Sequence, residues 1–128
     1  MGNRVVITGL GVVAPNGINL TDFTRSIKNG ISGIKHNQQL SALNFSCQIS
    51  GEPALTQAHI SKYFSALELK SLNSSGIVYG VIAGLDAWKD AGLEIPTHEP
   101  NWESGTIFGA GTSGLEKFKA GAEMIDLG

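Results

Sequence analysis

The sequence predicts an α/β protein in which strands alternate with helices. Residues 5–10 form an uninterrupted apolar run, typical of a strand that is covered on both faces. Residues 75–91 have the length and apolar spacing of a helix, and a second strand-like run at residues 106–109 leads into another helical pattern. Because strands that alternate with helices form parallel sheets, this order predicts a βαβαβα arrangement.

Capping and turn residues delimit the first elements. Asn19 or Thr21 is placed to cap the first helix, and Gly30 is placed to end it. The region that follows, residues 31–57, is predicted to be irregular apart from a short strand at residues 47–51. One or two short helices are expected in the next stretch, residues 61–72.

The long helix predicted at residues 75–91 has two distinct faces. Its apolar stripe consists of Ile77, Val81, Leu85 and Trp88, and three glycines spaced by four lie on another face, at Gly76, Gly80 and Gly84. A glycine inside a helix costs about 1 kcal/mol relative to alanine. We therefore expect a neighbouring backbone to approach the glycine face. Gly92 is predicted to end this helix, and the last helix is predicted from the spacing of Leu115, Phe118, Ala122 and Ile125.

Composition limits the classes of function. The 128 residues include 41% hydrophobic and 16% charged residues, as expected for one soluble globular domain. A net charge of -2 and dispersed basic residues give no surface for nucleic acid. No apolar run approaches the ~20 residues that span a bilayer, and no secretory signal is visible. We expect a cytoplasmic protein.

The sequence offers few side chains for chemistry. Cys47 is the single cysteine, so an internal disulfide and a cysteine-based zinc cluster are excluded. Its strand-like context predicts a buried structural thiol. His36, His59 and His98 lie in polar contexts and are predicted to be surface residues. We expect no metal and no cofactor.

A glycine turn follows the first predicted strand. Gly9, Gly11 and Ala14 satisfy the G-x-G-x-x-G/A dinucleotide fingerprint. That fingerprint needs a helix to begin at the second glycine, so that its N-terminus meets the pyrophosphate. Pro15 and Gly17 fall in the first turns of such a helix, and no acidic residue follows a second strand at the required distance. A dinucleotide-binding module therefore remains only a remote alternative.

Five short motifs along the chain, in order, resemble those of the N-terminal portion of a β-ketoacyl synthase. They lie at residues 5–17, 30–34, 47–52, 90–93 and 109–115. The first matches the V-V-I-T-G-x-G-V-x-x-P-x-G opening of the family, and the last resembles its G-x-G-x-G-G-L loop. The resemblance implies a thiolase-like αβαβα layered fold, of which residues 1–128 form a partial N-terminal domain.

The same resemblance implies a decarboxylative Claisen condensation in fatty-acid or polyketide synthesis. An acyl chain is held on a cysteine, and a malonyl thioester on acyl carrier protein loses carbon dioxide and attacks it. The resemblance also implies a homodimer, or a heterodimer with a related subunit. The family's nucleophilic cysteine and two histidines match positions beyond Gly128. No catalytic residue is therefore assigned in this chain, which we expect to be inactive alone.

The resemblance implies a role for one position of this chain. Thr112 matches a residue near the family's acyl pocket and dimer interface, so it either shapes chain-length preference or only satisfies the geometry of the glycine loop. The chain also departs from the family. Ser74, Ser75 and Gly76 replace the first three residues of a D-R-F-x-x-Y motif, of which Tyr79 remains. This departure leaves open a non-catalytic companion subunit similar to a chain-length factor.

Overall fold

The computed structural model describes residues 2, 4–72, 74–95, 99–111 and 114–126. Within those ranges the chain forms six helices and two short strands. In order these are α1 (Leu20–Lys28), β1 (Ile34–His36), α2 (Gln38–Ala42), β2 (Ile49–Gly51), α3 (Gln57–Ile60), α4 (Ala66–Ser71), α5 (Ser75–Asp90) and α6 (Leu115–Asp126).

The predicted turn and first helix are confirmed. Two backbone hydrogen bonds between Ala14 and Gly17, of 2.9 and 3.0 Å, close the turn. Asn19 is the residue that caps α1, because its side-chain oxygen accepts a hydrogen bond of 2.9 Å from the backbone N–H of Asp22. Gly30 follows the helix with a φ of 63°, a left-handed conformation that favours glycine at a helix end.

A hairpin occupies the region that was predicted to be mostly irregular. Strands β1 and β2 pair antiparallel, with Ile34 opposite Gly51 and His36 opposite Ile49. The predicted strand at residues 47–51 is thus confirmed in its second half. Strand β1 and helix α2 were missed, since three and five residues are too few to establish a hydrophobic period.

A small core lies between the α3–α4 region and α5. Phe64, Val78 and Ile82 are its buried apolar side chains in the part of the chain that the structure describes, and Ile82 is 0% exposed. The limits of α5 and its end at Gly92, with a φ of 69°, agree with prediction. The fully buried residues of α5, Val78 and Ile82, lie outside the apolar stripe named above, whereas Val81 of that stripe is half-buried and packs against the core.

The two long strands predicted at residues 5–10 and 106–109 are absent as paired strands, and this part of the prediction is wrong. Within the described ranges, the β1–β2 pair is the only sheet and it is antiparallel. A strand requires a hydrogen-bonded neighbour, and neither run has one. We call residues 4–13 the first segment and residues 105–109 the second segment.

Both segments lie against α5 instead of forming a sheet. A Cβ atom placed on Gly9 would overlap the backbone at Ala87 and Ala91, and one placed on Gly11 would overlap the backbone at Ala83. The side chain of Phe108 in the second segment covers Gly80. What approaches the glycine face of α5 at Gly80 is thus an aromatic side chain and not the neighbouring backbone that was predicted.

At the other two glycines of that face the expectation fails. Gly84 has no atom within 4 Å of its Cβ position, and the nearest atom to that of Gly76 is the Ser74 hydroxyl at 3.9 Å. The last helix is confirmed as α6. No helix among the described residues has the length and apolar character needed to cross a membrane.

Candidate functional site

A cavity of about 510 Å³ lies between the first turns of α5 and the glycine-rich loop that leads to α6. Tyr79 and Ile77 line it from α5, and Phe108 lines it from the second segment. The remaining lining residues are Ser74, Ser75, Gly76, Gly109, Ala110, Gly111, Gly114 and Leu115. This mixture of apolar walls and a few polar groups is typical of small-molecule sites.

Ser74, Gly80 and Gly114 shape the backbone and the side-chain packing around the cavity. Ser74 is the N-cap residue of α5, but its side chain makes no capping hydrogen bond and is buried. Gly80 leaves room for the ring of Phe108, which would overlap any Cβ atom there. Gly114 has a φ of 86°, which lets the loop turn into α6.

Thr112, the predicted acyl-pocket residue, lies outside the described residues. Gly111 and Gly114, on either side of residues 112–113, both line the cavity. The role of Thr112 therefore stays a prediction.

The sequence did not indicate that Phe108 and Tyr79 line a cavity. Phe108 was assigned to a predicted strand, and Tyr79 was interpreted only as the last residue of the D-R-F-x-x-Y motif. The signal that could have identified this cavity is the row of glycines on one face of the predicted helix, because such a face leaves room for an aromatic side chain.

The single cysteine and the histidines are not brought together. Cys47 is exposed, so the predicted buried thiol is wrong. Its Sγ lies 3.9 Å from the carbonyl oxygen of Ile49, outside any apolar core. His36 is exposed on β1 as predicted, whereas His98 lies outside the described residues. No contact joins Cys47 to a histidine within the described ranges.

His59 differs from the surface histidine that was predicted. It is half-buried, and its Nε2 atom is buried without a hydrogen-bond partner among the described residues. Its ring centroid lies 5.5 Å from that of Tyr63. The Tyr63 hydroxyl donates a hydrogen bond of 2.8 Å to Oδ1 of Asp86, and Lys89 Nζ lies 5.0 Å from the Tyr63 ring centroid.

These contacts fix the α3 region to α5. Burial raises the pKa of Tyr63 to about 12, assisted by the hydrogen bond to Asp86 and by the negative charge of that carboxylate. A phenol held in its protonated form is a hydrogen-bond donor at neutral pH and is not a nucleophile. These side chains therefore stabilise the packing of the α3 region on α5. In the described ranges, no group of three His, Cys, Asp or Glu side chains is suited to bind a metal ion.

The glycines of three motifs meet at the Pro15 turn. A Cβ atom placed on Gly33 would overlap the backbone at Pro15 and Asn16, and one placed on Gly51 would lie 2.9 Å from the Cγ atom of Pro15. The motifs at residues 5–17, 30–34 and 47–52 are thus parts of one packed unit. Their glycines are needed for close packing there.

The geometry of Gly9 and Gly11 differs from that of a dinucleotide-binding turn. Both glycines face the backbone of α5, and the next helix, α1, begins only at Leu20. In the dinucleotide fingerprint a helix N-terminus follows the glycines directly. These two glycines allow the first segment to approach α5.

Comparison with known proteins relates these motifs to one family. The family model described as "Beta-ketoacyl synthase, N-terminal domain" matches residues 2–125. The 3-oxoacyl-[acyl-carrier-protein] synthase 2 of Vibrio harveyi is 33% identical over 122 residues, which is 95% of this chain and 28% of the relative. The synthase 2 of Coxiella burnetii is 35% identical over 120 residues, which is 88% of this chain and 26% of the relative.

A synthase 1 shows the same relationship. The 3-oxoacyl-[acyl-carrier-protein] synthase 1 of Buchnera aphidicola subsp. Schizaphis graminum is 30% identical over 115 residues, covering 90% of this chain and 27% of the relative. The chain thus spans 26–28% of the length of these three curated relatives. From its match along residues 2–125, the chain belongs to the β-ketoacyl synthase family, and the part of that family it matches is the N-terminal domain.

Proposed function

We propose that this chain is the N-terminal segment of a β-ketoacyl-[acyl-carrier-protein] synthase. The observation that carries the proposal is the family match along residues 2–125, together with relatives named as 3-oxoacyl-[acyl-carrier-protein] synthases. The proposed reaction joins an acyl thioester to malonyl-acyl carrier protein. Loss of carbon dioxide leaves a carbanion, which attacks the acyl carbonyl and expels the thiolate that held the acyl group.

The role of residues 1–128 in this reaction is to form one side of the acyl pocket. The cavity between α5 and the glycine loop supports this role, because Ile77, Phe108 and Leu115 provide apolar contact for an alkyl chain. The resemblance to the family matches its nucleophilic cysteine and two histidines to positions beyond Gly128. We therefore expect condensation only when the remaining part of a synthase is present, in the cytoplasm and with acyl carrier protein as partner.

A chimaera tests the proposal directly. Residues 1–128 replace the matching segment of the Vibrio harveyi synthase 2, and the rate of condensation between acyl thioester and malonyl-acyl carrier protein is measured. We expect activity in the chimaera and none in the 128-residue chain alone. A chimaera that folds like the relative but fails to condense contradicts the proposal.

A second candidate is a companion subunit similar to a chain-length factor. Ser74, Ser75 and Gly76 favour it, because they replace charged and aromatic residues that catalytic members usually carry at the start of α5. Restoring Asp, Arg and Phe at these three positions of the chimaera distinguishes the two. A companion subunit gains condensation only after this restoration, whereas a catalytic subunit already has it before.

A further inference from the structure

Helices α5 and α6 both begin at the cavity of about 510 Å³ described above. Ser74 and Gly76 line the cavity at the start of α5, and Gly114 and Leu115 line it at the start of α6. The first N–H groups of a helix have no partner within the helix, and the aligned peptide dipoles give that end a partial positive charge. Both helices therefore favour a negatively charged group in this cavity.

Ser74 gives a second, independent indication of a ligand. It is only 7% exposed, and it lines the cavity from the N-cap position of α5. Its hydroxyl does not cap the helix and makes no other hydrogen bond in the part of the chain that the structure describes. Buried polar groups normally have a hydrogen-bond partner, because their loss of water is otherwise uncompensated. The Ser74 hydroxyl therefore indicates a bound group that accepts a hydrogen bond.

Two further donors lie in the same cavity. The N–H of Gly76 belongs to the first turn of α5, and no hydrogen bond from it occurs among the described residues. A Cβ atom placed on Gly76 would lie 3.9 Å from Oγ of Ser74, so these two groups are close neighbours. The Tyr79 hydroxyl also has no hydrogen bond within the described ranges, and Tyr79 lines the cavity. Together these donors suit the two oxygens of one carboxylate.

The rest of the lining favours a carboxylate over a phosphate. None of the described residues that line the cavity is charged. Phosphate carries more charge than a carboxylate, and proteins usually bind it with Arg or Lys side chains in addition to neutral donors. Ile77, Phe108 and Leu115 provide apolar contact for the chain to which a carboxylate is attached. The lining therefore fits an aliphatic carboxylate.

The cavity coincides with the departure from the D-R-F-x-x-Y motif. Ser74 stands in place of the Asp, which would put a negative charge at the start of α5. Gly76 stands in place of the Phe, whose ring would need space in the cavity, and Ser75 in place of the Arg leaves the lining uncharged. A neutral donor and open space at this helix end therefore distinguish the chain from members that carry the motif.

We propose that this cavity binds an aliphatic carboxylate, with the carboxylate at the start of α5 and the chain along the apolar walls. The inference rests on the proposed function for the other end of the chain, where the thioester is held. The acyl group that the cavity accommodates thus ends in a carboxylate instead of a methyl group. The substrate class is the monothioester of an aliphatic dicarboxylic acid.

Binding to the 128-residue chain is measured first, with octanoate, 1-octanol and acetate as probes. Octanol has the aliphatic chain without the charge, and acetate has the charge without the chain. We expect octanoate to bind about tenfold or more tightly than either. The backbone amide resonances of Gly76 and Leu115 should shift on binding, because both residues line the cavity.

Two variants assign the binding to the start of α5. Ser74→Ala removes the buried hydroxyl and should weaken octanoate binding by about tenfold, without changing octanol binding. Gly76→Asp places a negative charge in the cavity and should weaken octanoate binding further. The matched control is Ser71→Ala, which removes an exposed hydroxyl on α4. Thermal denaturation of each variant checks that the chain remains folded.

The chimaera with the Vibrio harveyi synthase 2 tests the substrate class. Two acyl thioesters of equal length compete for condensation, one ending in a carboxylate and the other in a methyl group. We expect the chimaera to prefer the carboxylate-ended thioester, and Ser74→Ala should shift the preference towards the methyl-ended one.

Three outcomes would overturn the proposal. These are equal affinities for octanoate and octanol, equal octanoate binding by Ser74→Ala and Ser71→Ala, and a chimaera that prefers the methyl-ended thioester. Octanoate binding by a folded chimaera that condenses neither thioester supports the carboxylate site and contradicts the proposed function. The binding measurement and the condensation measurement therefore separate the two proposals.

Discussion

The backbone N–H of Leu10 donates a hydrogen bond of 2.9 Å to Oδ2 of Asp90, across 80 positions of the chain. This bond ties the first segment to the last turn of α5. It connects two of the family-like motifs, at residues 5–17 and 90–93. Residues 4–9 make no backbone hydrogen bond within the described part of the chain, so the bond to Asp90 and the contacts of Gly9 and Gly11 hold the first segment in place.

Asp90→Ala should therefore loosen the first segment. Loss of the bond from Leu10 should lower the free energy of unfolding by about 1 kcal/mol, the net value of one such hydrogen bond. Denaturant unfolding measures this change, and hydrogen exchange at the Leu10 amide should become faster. Glu94→Ala is the matched control, since the Glu94 carboxylate is exposed and accepts no hydrogen bond in the described ranges. Equal stability of the two variants would contradict the role of Asp90.

Alanine at the glycines that face the α5 backbone should be destabilising. A Cβ atom on Gly9 or Gly11 would overlap backbone atoms of α5, which cannot move aside as a flexible side chain can. We expect Gly9→Ala and Gly11→Ala each to lower the free energy of unfolding by about 1–3 kcal/mol, the usual cost of overpacking.

Gly84→Ala should have the opposite effect on the isolated chain. Nothing lies within 4 Å of its Cβ position, so the substitution gains helix propensity without a clash. The expected stabilisation is about 1 kcal/mol, measured by denaturant unfolding. A destabilised Gly84→Ala chain would show that another part of the protein contacts this position of α5 in solution.

The stability of the protein should depend on Tyr63 at high pH. The pKa of Tyr63 is raised to about 12 in the folded chain, whereas a tyrosine in an unfolded chain has a pKa of about 10. The stabilising contribution is therefore complete below pH of about 10 and is lost as the pH rises towards about 12. The free energy of unfolding should decrease as the pH rises through this range, and Tyr63→Phe should remove the slope of this decrease. Tyr79→Phe is the control and should retain the slope, so loss of the slope in both variants would assign it elsewhere.

Thr112→Ile tests the acyl-pocket hypothesis in the active chimaera. A larger apolar side chain at this position should shorten the acyl chains that are accepted or slow their turnover. The measurement is the product chain-length distribution, with Thr24→Ile on the exposed side of α1 as control. An unchanged distribution in Thr112→Ile would mean that the residue serves only the geometry of the loop.

Local sequence signals predicted some elements accurately. Asn19, Gly30 and Gly92 mark helix ends through side-chain capping and left-handed backbone, and both effects act within a few residues. The Pro15 turn and the limits of α5 are of the same kind. The five motifs likewise identified the family from their order along the chain, since that order requires no knowledge of contacts.

Other features depended on partners distant in the sequence. The runs at residues 5–10 and 106–109 have strand composition, yet among the described residues neither run pairs with a neighbouring strand. The exposure of Cys47 and the buried Nε2 of His59 also follow from what packs beside them.

The sequence alone therefore determined the family, the turns and the helix ends, because these follow from local backbone preferences and from motif order. Tertiary structure decided which face of α5 is buried and where the glycines make contact. It also decided that Asp90 holds the first segment, and that Val81, Leu85 and Trp88 line an open groove of about 630 Å³ along α5. These outcomes depend on contacts between residues far apart in the chain, which no local pattern encodes.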